Sequence, residues 1–189
     1  MNAGVEDHCC DDDVIALDKY LQIGSGAGKN LLAVGESPAA NGWYKSGRAF
    51  YTVTGKIVPT GKNFLANLQQ IDPGINLENI YFTEISKCFV ANNRKALDLC
   101  ASKTWGHFIS QIQHVSPTLI ILLGKKTTDM FSKLVGAQLT IGVLQKIEIP
   151  GKKYHILPLY HPSPLNPKRV QNTEFIEKNM AQIHKLLIV

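Results

Sequence analysis

Four apolar runs of strand character divide this chain: Leu31–Val34, Ile80–Ile85, Thr118–Leu123 and Tyr154–Tyr160. They are rich in Leu, Ile, Val and Tyr, and most are bounded by Gly, Pro or Asn. Helix candidates at Gly61–Gln70, Lys95–His114 and Lys125–Val135 lie between them, and Thr173–Leu187 follows. Strands alternating with helices imply parallel pairing, with crossover helices packed on both faces of one sheet. The predicted architecture is a three-layer α/β/α domain around a central four-stranded, mainly parallel sheet. Thr140–Ile149 adds a short hairpin or edge. With 189 residues, the chain suits one domain over residues 1–189, its first twelve frayed.

In open α/β sheets, ligands and catalysts gather at the carboxyl ends of the strands. Two loops in this chain occupy such ends. Leu31–Val34 breaks into Gly35-Glu36-Ser37-Pro38, and the run ending at Tyr160 breaks into His161-Pro162-Ser163-Pro164-Leu165. Proline fixes φ, so the second loop is held rigid before anything binds. A carboxylate and an imidazole, far apart in sequence, are thus expected to face one another. Asn41–Pro59 is a long loop rich in Gly, Ser, Thr and aromatics, a length that usually signals function in a compact domain.

Apolar content of 44% argues against disorder. No run of about 18 apolar residues exists to span a bilayer, and the N-terminus lacks a basic-then-apolar leader. An intracellular monomer with no membrane partner is expected. Charge is unevenly placed. Residues 1–18 hold six acids and no Lys or Arg, which leaves twenty bases against nine acids in the remainder. That basic body would attract a polyanion, although scattered lysines on an ordinary surface would give the same count. The glycine-rich Gly24–Asn30 mimics a phosphate loop, but its spacing is one residue short. It also precedes a strand instead of following one, so a mononucleotide-binding enzyme is the weakest reading.

Taken together, the motifs resemble the uracil-DNA glycosylase superfamily. Gly35-Glu36-Ser37-Pro38 matches the Gly-Glu-Xaa-Pro motif of the family 4 enzymes, and His161–Leu165 matches the His-Pro-Ser-Pro-Leu loop of family 1. Ser46-Gly47-Arg48-Ala49-Phe50 resembles the Gly-Arg-Pro-Phe segment of family 4, and Lys87-Cys88 with Asn93-Arg94 resembles its Lys-Cys…Asn-Arg segment. The resemblance runs from about Leu31 to Arg169. It implies a monofunctional DNA glycosylase of base-excision repair, acting on DNA that contains uracil or a related damaged base. The alternative is a non-catalytic or redirected nucleic-acid-binding module on the same fold.

The resemblance also implies roles. Glu36 would position or deprotonate water and balance charge on the sugar; His161 would stabilise the leaving base. Read without it, Glu36 is a helix N-terminal acid and His161 a structural histidine. Phe50 would stack on the extruded base, or else is a core aromatic. Ser37 would line the same pocket, where family 1 keeps its catalytic aspartate. Leu165 would enter the duplex as a wedge, or else anchors packing. Ser163, Asn166, Lys168 and Arg169 would contact phosphates.

Two departures stand out. At Glu84 the superfamily usually keeps asparagine, whose amide pairs with both N3–H and O4 of uracil. Cys88 and Cys100 fall where family 4 has two of its four iron–sulfur ligands, but the family's CxxC is replaced by Cys9-Cys10. No cofactor is expected, with a cluster on Cys9, Cys10, Cys88 and Cys100 as the alternative. A disulfide is not expected without a secretory leader.

Overall fold

The structure is a computed structural model that describes residues 17–25, 30–40, 42–90 and 95–187. The first twelve residues, among them Cys9 and Cys10, and also Asn93, Arg94 and the centre of the glycine-rich loop lie outside the described residues.

The four expected runs form the middle of a sheet. They are β2 (Leu31–Gly35), β3 (Tyr81–Glu84), β4 (Leu119–Leu123) and β6 (Lys152–Leu159), with β1 (Leu21–Gln22) and β5 (Gln145–Ile149) at the edges. The order is β1-β3-β2-β4-β6-β5, so the sheet has six strands. The four central strands are mutually parallel; each edge strand is antiparallel to its neighbour. Residues 31–35 and 119–123 are buried throughout. Such strands read as continuous apolar runs because helices cover both faces.

The alternation along each strand sorts side chains into two cores. Leu32, Val34, Ile120, Leu122 and Ile156 meet Leu97, Phe108, Ile112 and Phe131 from helices α3 (Ala96–Lys103), α4 (Trp105–Val115) and α5 (Lys125–Val135). On the opposite face, Leu31, Ala33, Leu119, Ile121, Leu157 and Leu159 meet Phe64, Leu68, Ile176 and Ile183. Those side chains belong to α2 (Pro59–Ile71) and α6 (Gln171–Leu187). The α/β/α layering is therefore as expected. The helix candidate over 95–114 is two helices, broken at Thr104, whose hydroxyl bonds back to the Cys100 carbonyl at 2.9 Å. One short helix, α1 (Trp43–Ser46), lies within the long loop. No helix of the described residues is long and apolar enough to cross a membrane.

Because β2, β3, β4 and β6 run parallel, their carboxyl ends share one edge. Gly35 and Glu84 are register partners there, and Leu123 pairs with Leu159, two residues before His161.

Candidate active site

A cleft of about 680 Å³ opens along this edge, lined by residues that are distant in sequence. Glu36, Ser37 and Pro38 reach it from the end of β2, Glu84 from the end of β3, Leu123 from β4 and His161 from beyond β6. The long loop supplies Trp43, Ala49 and Phe50. Thus Glu36, Ser37, Phe50, Glu84 and His161 meet in one cavity. Glu36 lies close enough to His161 and Glu84 for its charge to act on both.

The histidine loop is braced from within. The Ser163 N–H donates to His161 Nδ1 at 3.3 Å, and the Leu165 N–H donates to Ser163 Oγ at 3.3 Å. Asn166 Nδ2 donates to the His161 carbonyl at 3.0 Å, and Asn63 of α2 donates to the Pro162 carbonyl at 2.8 Å. With Nδ1 accepting, the neutral ring carries its proton on Nε2. Loss of hydration lowers the His161 pKa, and the nearby Glu36 charge opposes that shift. The neutral, Nε2-protonated ring is therefore the resting form at neutral pH. Gly124 makes room for it: a Cβ there would sit 3.1 Å from His161 Cβ, and its φ of +104° disfavours any side chain.

Phe50 has a φ of +65°, an uncommon conformation for a non-glycine residue. Its ring packs against Phe82 at 4.6 Å and Phe64 at 5.4 Å, and a Cβ at Gly61 would collide with it. The loop is pinned beside it, where Tyr51 Oη donates to Glu78 at 2.5 Å and Arg48 lies 4.1 Å over the Tyr51 ring. Strained backbone held by surrounding contacts is typical of functional positions.

Glu84 is 6% exposed, and its Oε2 is buried without a hydrogen-bond partner. Burial pushes its pKa up to about 8; the Glu36 charge adds to the rise and Lys87 opposes it. Gly35 is a glycine for a steric reason, since a Cβ there would fall on the Glu84 carboxyl group. Lys87 was quoted in a motif but given no role by sequence. It is fully buried, and its ammonium donates to Thr83 Oγ1 and Gln111 Oε1 at 2.6 Å each, and to the Glu84 carbonyl. No periodicity announces a buried lysine. The other missed lining residues, such as Trp43, Phe82 and Thr60, carry no chemical signature in sequence.

The remaining predicted residues lie outside the cleft. Leu165 is 93% exposed, which removes the packing-anchor reading. Lys168 is exposed, with its ammonium 5.5 Å from the Tyr160 ring. Arg169 Nη1 donates to the Asn166 carbonyl at 3.3 Å. Asn166 uses both ends of its amide inside the loop, since Oδ1 accepts from the Lys168 N–H at 3.1 Å.

Cys88 and Cys100 are joined in a disulfide, contrary to the expectation of separate thiols. The expectation rested on compartment, whereas the fold turns Cys100 of α3 onto the segment after β3, with Cα atoms 6.4 Å apart. Among the described residues no group of three or more His, Cys, Asp or Glu could hold a metal ion; Cys9 and Cys10, the other two candidate ligands, lie outside those residues.

Comparison with known proteins agrees with the geometry. The family model described as the uracil DNA glycosylase superfamily matches residues 23–183. A protein named type-4 uracil-DNA glycosylase from Archaeoglobus fulgidus is 26% identical over 161 residues, 82% of this chain and 76% of that protein. A protein of the same name from Saccharolobus solfataricus is 27% identical over 138 residues, 70% of this chain and 60% of that protein.

Proposed function

The chain belongs to the uracil DNA glycosylase superfamily, and from that premise we propose that it is a monofunctional DNA glycosylase. It hydrolyses the N-glycosidic bond of uracil or a related damaged base and leaves an abasic site. The observation that carries this reading is the cleft in which Glu36, His161, Phe50 and Glu84 converge from separate strand ends.

The chemistry follows from those groups. Phe50 offers a face on which an extruded base can stack. Glu36 orients a water and accepts its proton as the water oxygen bonds to the sugar's anomeric carbon. The N-glycosidic bond breaks, and its electron pair leaves on the base. His161 donates from Nε2 to the carbonyl oxygen where that charge accumulates. The base then takes up a proton from solvent. Among the described residues no lysine lines the cleft to form a Schiff base, so the enzyme makes no strand cut of its own.

An oligonucleotide with a single uracil, labelled at one end and treated with alkali after incubation, tests this directly. Cleavage only after alkali is the expected result. An oligonucleotide that is bound yet left intact would favour the non-catalytic nucleic-acid module. The exposed Leu165 extends the reading to duplex DNA: Leu165→Ala is expected to lower excision from duplex by roughly tenfold and from single strands much less, since only the duplex needs a wedge between base steps. Equal losses on both substrates would remove that role.

The reading includes no cofactor. Anaerobically purified protein is expected to be colourless. A brown protein with stoichiometric iron and sulfide would mean that Cys88 and Cys100 exchange their bond for cluster ligation with Cys9 and Cys10.

A further inference from the structure

Resting on the glycosylase reading, we propose that Asn172 and Asn63 are positioning residues of the reaction. From α6 and α2 they clamp the backbone on both sides of His161, so that its ring is aimed at the leaving base before DNA binds. Three consecutive carbonyls around the histidine each accept from an asparagine amide. Asn172 donates to the Tyr160 carbonyl at 2.9 Å, Asn166 to that of His161 at 3.0 Å and Asn63 to that of Pro162 at 2.8 Å. Asn166 belongs to the loop itself and moves with it. Asn172 and Asn63 stand on helices whose apolar faces pack on the sheet, so they tie the loop to the rigid body.

The Asn172 contact has the form of a strand pairing. On the β4 side, the ladder of β6 closes where the Gly124 N–H donates to the Leu159 carbonyl at 2.8 Å. On the other side, the pairing with β5 stops at Ile156, and the Gly142 N–H takes the Pro158 carbonyl at 2.8 Å. Tyr160 lies beyond both. Its N–H donates to Asn172 Oδ1 at 2.9 Å and its carbonyl accepts from Nδ2, the two bonds that an opposed residue of an antiparallel strand would exchange with it. Asn172 is 1% exposed, so both bonds form away from competing water. A carboxylate of the same shape could take the N–H but could not donate to the carbonyl. The Tyr160 carbonyl belongs to the planar peptide that bears the His161 nitrogen, so the amide sets the plane from which the imidazole departs. Asn63 holds the chain again at Pro162, and the Ser163 N–H at Nδ1 sets the tautomer of the ring between them. A ring shifted by a loosened backbone would stay in the cleft and meet the base carbonyl poorly, because hydrogen bonds weaken steeply with misalignment.

The test compares single-turnover excision of uracil and of 5-fluorouracil from the same oligonucleotide by the full chain. Fluorine withdraws electrons and stabilises the departing anion, so release of 5-fluorouracil leans less on the His161 donor. Asn172→Ala and Asn63→Ala should each lose up to about 10²-fold on uracil, the scale for a catalytic group out of place by about 1 Å. The loss on 5-fluorouracil should be several times smaller. Added to His161→Ala, either change should cost less than about twofold more, since no ring is left to position. Wild-type rates in both variants, equal losses on the two bases, or full additivity with His161→Ala would overturn the proposal.

A second readout needs no catalysis. NMR spectra of protein labelled at the histidine nitrogens, with the His161 signals assigned through His161→Ala, should show one Nε2-protonated tautomer in wild type. The two asparagine variants should show a mixture of tautomers. Asn63 is only half-buried, so Asn63→Ala carries both measurements if Asn172→Ala does not fold. An unchanged His161 tautomer in the folded variants would overturn the proposal. If wild type never excises uracil and the tautomers still mix, the glycosylase reading falls and the clamp on His161 survives. Excision with equal losses on both bases gives the reverse.

Discussion

Replacing Glu36 with alanine should lower the rate of uracil excision by about 10²–10⁴-fold, the range for a lost general base. His161→Ala should cost about 10²–10³-fold, the range for one lost donor to a developing anion. Neither change should disturb the fold much. Glu36 is only half-buried at the end of a strand, and the bracing of the histidine loop by Asn63 and Asn166 uses the backbone carbonyls of Pro162 and His161, which alanine retains. The measurement is a single-turnover rate at saturating enzyme, paired with a thermal melt to show that the variants remain folded. Their losses should not add in the double variant, because water attack and leaving-group stabilisation serve one transition state. If both single variants cleave uracil at the wild-type rate, the catalytic groups lie elsewhere.

How legible these features were depends on what each residue does. The four central strands could be read because burial on both faces leaves them uniformly apolar, a pattern that loops do not produce. Their parallel order then followed from the helices between them, and the cleft from the carboxyl ends of the strands. Edge strand β1 has only two residues, too few for any period. The break at Thr104 has no Gly or Pro to announce it, since a buried threonine hydroxyl bonding back one turn does the work. Glu36 and His161 were visible because motif and strand end coincide. The departure from asparagine at Glu84 was visible in sequence, but only the fold shows what surrounds it. Its burial and the nearness of Glu36, which together raise its pKa, are properties of packing. The Cys88–Cys100 bond likewise depends on α3 lying over the segment after β3.

Lys87→Met should destabilise the protein by about 2–3 kcal/mol, the scale for leaving buried acceptors without their donor. For a chain of this length that lowers Tm by roughly 5–10 °C. The lysine is fully buried and gathers Thr83 Oγ1, Gln111 Oε1 and the Glu84 carbonyl around one ammonium, with the Phe108 ring 5.3 Å away. Methionine fills a similar volume, so the loss reports hydrogen bonds and charge more than a cavity. Part of the network can recover, because the Thr83 hydroxyl lies 2.7 Å from Gln111 Oε1 and can donate there. The Glu84 carbonyl loses this donor, and it belongs to the residue whose side chain faces the cleft. Removing the ammonium also removes a positive charge that favours ionised Glu84, so the Glu84 pKa should rise further. A Tm within error of wild type would show that the buried ammonium contributes no net stability, its dehydration cancelling its hydrogen bonds.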